Sequence, residues 1–349
     1  MLKLIKMLRP VLLYISVFGV LLLAACDSTT EATSENDDNS DNEATKEKIV
    51  FSDLGWNSIR FHNQVAATVL EEGYGYKTEV TTASMSIGLQ GLQNGDIDVT
   101  MEIWGDKMGD AYDEALNDGK IEQVGINFGD TKRGYFVPTY VIEGDKERGI
   151  EPVAPDLKSV KDLPQYKDVF KESSRKSKGQ IVGAPSMWGA AEAFEQKMET
   201  YNLSETYEYV DPGSGTGLNV SLTKAYEAGE PWIGYAYSPS WVLGKYDMTM
   251  LEEPAYDEET WNENYGTGFP DQDVPIAINA KLTETAPDVV KFLKNYQTSN
   301  DLTNEALVYM NDNDAEPREA AEWWMNEHPD IWTEWVPDDV AEKVKKAIQ

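Results

Sequence analysis

The chain has a single cysteine, two histidines, and only 30 basic residues against 62 acidic ones. Each shortage excludes something. One thiol, Cys26, permits no intramolecular disulfide. Two histidines, with no pair at metal-ligand spacing, leave no zinc motif, and no Gly-x-Ser-x-Gly elbow marks a serine nucleophile. A net charge of -32 lacks the basic footprint that nucleic acid requires. Carboxylates are plentiful, yet no spacing singles out a glycosidase-type pair. Acidic residues along nearly every segment read as a solvated surface rather than a cation-collecting site. The expectation is a protein that is not an enzyme, with no metal, no cofactor and no nucleic-acid partner.

Long hydrophobic runs are also missing beyond the N-terminus. Lys3, Lys6 and Arg9 precede an apolar run from Val11 to Ala25, and Leu23-Ala24-Ala25-Cys26 closes it. This is the layout of a lipoprotein signal peptide over residues 1–25, with Cys26 as the lipidation site and a membrane as partner. An uncleaved anchor is the alternative, but the run is short for a span of about 20 residues. Residues 26–48 are Asp, Glu, Asn, Ser and Thr with almost nothing to bury, and are expected to form a disordered acidic tether. The remaining chain, about 300 residues, exceeds what one core usually holds. Two lobes are therefore expected, lobe I from 49–142 plus 258–349 and lobe II from 143–257.

Strand-like and helix-like segments alternate through both. Ile49–Ser52, Tyr76–Thr81 and Asp98–Trp104 read as strands, with a helix from Phe61 that stops at Gly73 and another around Ile87, Leu89 and Leu92 that ends at Asn94-Gly95. This is the α/β pattern. In such sheets ligands bind beyond the carboxyl ends of the strands, which is where Trp56 and Trp104 fall. Trp188 sits in Gly183-Ala184-Pro185-Ser186-Met187-Trp188-Gly189, between a strand and a helix beginning near Ala190. Core or hinge packing is the alternative for that ring. The first amides of the helix, Gly189, Ala190 and Ala191, would point outward at the positive end of its dipole, and Gly189 has no Cβ to keep a ligand oxygen away. An indole beside an anion hole suits a ligand that is cationic at one end and anionic at the other. Tyr237 closes another strand before Ser238-Pro239. Asp211-Pro212-Gly213-Ser214-Gly215-Thr216-Gly217 lacks a P-loop ending and reads as a loop and cap, with a ligand carboxylate role left open. Trp323, Trp324, Trp332 and Trp335 fall at helical spacing and read as core, and His328, before Pro329, as a cap or surface residue.

Glu102-Ile103-Trp104, the Gly183–Ala190 stretch, Tyr237-Ser238-Pro239-Ser240-Trp241 and Lys245 to Pro254 occur in an order and spacing that resemble the substrate-binding lipoproteins of ABC importers for glycine betaine and proline betaine. The resemblance extends over nearly all of residues 49–349. It implies a two-lobed periplasmic-binding-protein fold of type II, an aromatic cage around a trimethylammonium group, and backbone amides for its carboxylate. Trp104 and Trp188 match two cage positions and Gly189 and Ala190 the amide donors. Tyr237 stands where several members have a third tryptophan, a departure that weakens the π face. Trp56 matches no motif and is a candidate fourth wall. The implied partners are a quaternary amine osmolyte and ABC permease subunits. An amino acid, polyamine or sugar on the same fold is the alternative ligand.

Overall fold

The computed structural model describes residues 48–104, 108, 110–172 and 177–349. The expected signal peptide, Cys26, the expected tether up to residue 47, and residues 105–107, 109 and 173–176 lie outside them. In order, the chain forms β1 (Lys48–Asp53), α1 (Asn57–Thr68), β2 (Lys77–Thr82), α2 (Met85–Asn94), β3 (Val99–Thr100), α3 (Asp110–Asn117) and β4 (Ile121–Phe128). It continues through β5 (Arg133–Pro138), α4 (Thr139–Glu143), β6 (Gly179–Val182), α5 (Gly189–Thr200), β7 (Tyr207–Val210), α6 (Gly215–Ala228), β8 (Gly234–Tyr237), α7 (Trp241–Lys245) and β9 (Met248–Met250). It then returns by α8 (Glu258–Asn264) and β10 (Val274–Asn279) to the helices α9 (Leu282–Thr285), α10 (Pro287–Asn295), α11 (Asn300–Asn313), α12 (Pro317–Glu327), α13 (Pro329–Trp332) and α14 (Asp338–Ala347).

The strands make two sheets of one topology. The first runs β2-β1-β3-β10-β4 and the second β7-β6-β8-β5-β9. In each, four strands run one way and the fifth enters antiparallel between its neighbours: β10 between β3 and β4, β5 between β8 and β9. Thus β6, β7 and β8 repeat the roles of β1, β2 and β3. β5 pairs Arg133 with Tyr237 and Phe136 with Met250, so the chain has joined the second sheet by Arg133, whereas the expected boundary of the first lobe is residue 142.

Each sheet buries its own apolar set. Phe51, Phe61, Val65, Phe292 and Trp324 belong to one cluster and Tyr135, Ile181, Phe194, Leu222 and Tyr235 to another. Trp324, Trp332 and Trp335 are core residues as the spacing predicts, whereas Trp323 is half-buried and stacks on Tyr309 at 4.1 Å. His328 joins α12 to α13 and meets Glu305 at 2.9 Å. The expected stop at Gly73 is a correction: the helical path runs on through a π-turn to Tyr74 and ends at Gly75, in the left-handed region at φ 76°. Gly73 is there for packing instead, because a Cβ would lie 2.6 Å from Val340 Cγ1 on α14.

Candidate functional site

The shared topology places the four candidate aromatics at matching positions. Trp56 follows β1 and Trp188 follows β6, and each is the residue at which the next helix begins. Trp104 follows β3, and Tyr237 is the last residue of β8. Ser84 and Ser214 match as well, each capping the helix after the second strand by accepting an amide three residues on, from Ile87 and Gly217. All four rings therefore sit at carboxyl ends of parallel strands, where such sheets bind ligands.

Trp56 and Trp104 are brought together by Glu102, to which the Glu102-Ile103-Trp104 motif alone assigns no role. Glu102 is 0 % exposed, and its Oε2 accepts the indole N–H of Trp56 at 2.7 Å and of Trp104 at 3.3 Å. Local structure explains how. Past β3, Ile103, anchored by its amide to Pro275 at 2.9 Å, enters a separate apolar cluster, whereas Trp104 packs into another beside Glu102. Trp104 is 8 % exposed and packs on Phe128 and Val274, with Trp56 and Met85 against the same group. Gly55, at φ 100°, turns the chain ahead of Trp56, and Asp53 fixes that turn by accepting the Gly55 amide and pairing with Arg60 at 2.9 Å.

Behind Glu102 lies His62, fully buried, with Nε2 3.9 Å from Glu102 Oε1. Its ring nitrogens share hydrogen bonds with Tyr296 at 2.8 Å and Thr303 at 3.3 Å. Burial drives its pKa down to about 3, so the imidazole is neutral at pH 7.

Trp188 and Tyr237 form the second group. Their rings meet edge to face at 5.2 Å, and buried Tyr235 stacks behind Tyr237 at 6.1 Å. Burial pushes the Tyr237 phenol up to about 12, which keeps it neutral. The indole of Trp188 is half-buried and backed by Gly215, the first residue of α6. The Asp211–Gly217 stretch is a loop and cap: Asp211 accepts the Gly213 amide and Ser214 that of Gly217. At the start of α5, Trp188 donates its amide to Pro185 at 2.8 Å and accepts that of Ala191 at 2.9 Å. Ala191 is thereby removed from the expected anion donors. Among the described residues, the amides of Gly189 and Ala190 have no acceptor, and a Cβ on Gly189 would meet nothing within 4 Å. Two amides without acceptors beside an indole are chemically suited to an anion next to a cation.

Comparison with known proteins agrees with this architecture. The chain is 24% identical over 294 residues to the trimethylamine N-oxide-binding protein of Pelagibacter ubique, covering 83% of this chain and 90% of that one. Its fold is similar to that of an ABC-transporter choline binding protein in complex with choline, with a TM-score of 0.60, 24% identity, and coverage of 86% of this chain and 98% of that one. It is also similar to lactococcal OpuAC in its closed-liganded conformation with glycine betaine, with a TM-score of 0.59, 19% identity, and coverage of 84% and 100%. The fold is the two-lobed periplasmic-binding-protein type. A family model for the substrate binding domain of ABC-type glycine betaine transport systems matches residues 47–327, and the chain belongs to that family as the solute-binding component of an ABC importer for quaternary amines.

Proposed function

We propose that this chain captures a trimethylammonium osmolyte of the betaine type between the Trp56–Trp104 pair and the Trp188–Tyr237 pair, with the ligand carboxylate on the amides of Gly189 and Ala190. The observation that carries the reading is the duplication: two sheets of one topology each offer two aromatics at matching strand ends. A quaternary ammonium keeps its charge at every pH and has no N–H to donate, so flat π faces hold it where a directional acceptor cannot. Each desolvated contact contributes on the order of 0.5 to 2 kcal/mol. A primary ammonium would lose its hydrogen bonds to water and find few acceptors among the rings. Trimethylamine N-oxide, for which the Pelagibacter relative is named, carries the same trimethylated nitrogen.

In this reading the halves that close on the ligand are residues 48–128 with 274–349, and residues 133–250. Cys26 carries the lipid that holds the protein at the outer face of the cell membrane, residues 26–48 supply reach, and the loaded protein delivers its cargo to the permease subunits. Among the described residues no helix is long and apolar enough to cross a membrane. Proton NMR of glycine betaine tests the cage: aromatic faces on several sides shift the bound methyl resonance upfield. Binding that leaves the methyl resonance unshifted would contradict the assignment.

A further inference from the structure

Tyrosine hydroxyls around the second sheet are bonded to protein acceptors: Tyr201 donates to Glu253 at 3.0 Å, Tyr207 to the Leu163 carbonyl at 2.7 Å and Tyr209 to that of Ala184 at 3.1 Å. Tyr237 is different. Among the described residues its hydroxyl has no hydrogen-bond partner, and the side chain is only partly buried. The Tyr135 hydroxyl also lacks a partner, but that residue is fully enclosed in the core. The Tyr237 carbonyl accepts from Ser240 Oγ at 2.7 Å, the following amide, of Ser238, donates to the Lys132 carbonyl at 2.8 Å, and Trp188 and Tyr235 pack on the ring. These contacts restrain the ring, and its hydroxyl with it. Burial holds the phenol pKa up at about 12, so at pH 7 the group is protonated and can donate. A ligand packed against this ring either accepts from the hydroxyl or leaves it unsatisfied, and a site with an unsatisfied polar group discriminates against the ligand that lacks the matching atom. The amides of Gly189 and Ala190 are assigned to the ligand carboxylate, whereas Tyr237 belongs to the cage, so its donor acts on the cationic head itself.

We infer that Tyr237 is a specificity-determining residue whose hydroxyl donates a hydrogen bond to the ligand, and that it selects a methylated nitrogen bearing an oxygen, as in an N-oxide, over a head made only of methyl groups. The inference rests on the trimethylammonium reading above and names the class of head that site takes. The oxygen of an N-oxide carries the negative end of the N–O dipole, which makes the bond from a neutral phenol a charge-assisted one.

The test is Tyr237→Phe in the purified protein, which keeps the aromatic face and its packing and removes only the hydroxyl. The calorimetric probes are trimethylamine N-oxide and tetramethylammonium, which carry an oxygen or a fourth methyl group on the same nitrogen. The wild type is expected to bind the N-oxide more tightly. In the variant, N-oxide affinity should fall by about tenfold, while that for tetramethylammonium holds within about twofold or tightens. N-oxide affinity within about twofold of wild type, or an equal loss for both probes, as a merely structural role of the hydroxyl would give, overturns the inference. So does a wild type that binds tetramethylammonium as tightly as the N-oxide, or that binds glycine betaine and not the N-oxide. In each of these cases the protein still binds a methylated ammonium compound, so the proposed function stands and the inference alone fails. A wild type that binds none of the methylated compounds overturns the proposed function and this inference with it.

Discussion

Trp188 leans on Gly215: a Cβ at residue 215 would lie 2.8 Å from Cζ2 of the indole. The backing comes from the first turn of α6 and requires the absence of a side chain. Gly215→Ala should therefore push the ring off its position and weaken ligand binding by about tenfold. Gly215 is neither buried nor at positive φ, so the melting temperature should hardly change. Tryptophan fluorescence titration with parallel thermal unfolding separates the two effects.

Trp188→Ala and Trp104→Ala should differ in kind. Each removes an aromatic wall of the proposed site and should cost about 2 kcal/mol or more in binding. Trp188 is half-buried, so its loss should spare the fold. Trp104 is packed on Phe128 and Val274, so truncation leaves a cavity and should also lower stability by about 3 kcal/mol. Denaturant midpoints of the two variants, measured without ligand, check this distinction.

His62 makes stability depend on pH. Its folded pKa, about 3, lies below the unfolded value of 6.5, so the unfolded chain binds the extra proton between those limits. The contribution is complete above pH 6.5 and is lost as pH falls toward 3, at about 1.4 kcal/mol per pH unit. His62→Gln, which can still bond Tyr296 and Thr303, should flatten that part of the profile. Urea midpoints at pH 7 and pH 5.5 for both proteins give the comparison, and equal slopes would show that His62 is not the titrating group.

Lys197 and Glu253 form a buried ion pair beneath the second sheet. The ammonium also donates to the Thr267 carbonyl and lies 4.8 Å from the Phe269 ring centroid, and Tyr201 donates to the same carboxylate at 3.0 Å. Despite the attraction, burial pushes Lys197 down and Glu253 up. Lys197→Met alone strands a buried carboxylate and should cost about 3 to 5 kcal/mol, whereas Lys197→Met with Glu253→Gln should recover much of it. Equilibrium unfolding of the single and double variants measures the difference.

What could be read from the sequence was local. Gly55-Trp56 and Trp188-Gly189, each after an apolar strand, announced the turns at the two tryptophans, because a strand, a glycine and a helix are neighbours in the chain. The aromatic at the end of β8 was visible for the same reason. What stayed hidden depends on partners far away in sequence. Glu102 reads as a stray charge until Trp56 arrives from another strand, and His62 looks like any polar residue on an apolar helix. Gly73 resembled a helix stop, since nothing near it reveals Val340 and Val344 across the contact. The crossing at Arg133 was blurred by an extended apolar run that suits either sheet, and the loss of Ala191 as an anion donor follows from a tightened first turn that propensity does not specify.

The most direct measurement is calorimetric titration of the protein with glycine betaine, trimethylamine N-oxide, choline, carnitine, glycine and proline. Binding of at least one methylated ammonium compound at about micromolar Kd, with none for glycine or proline, is the expected result. Heat from glycine or proline with silence across every methylated compound would contradict a cage built on Trp56, Trp104, Trp188 and Tyr237.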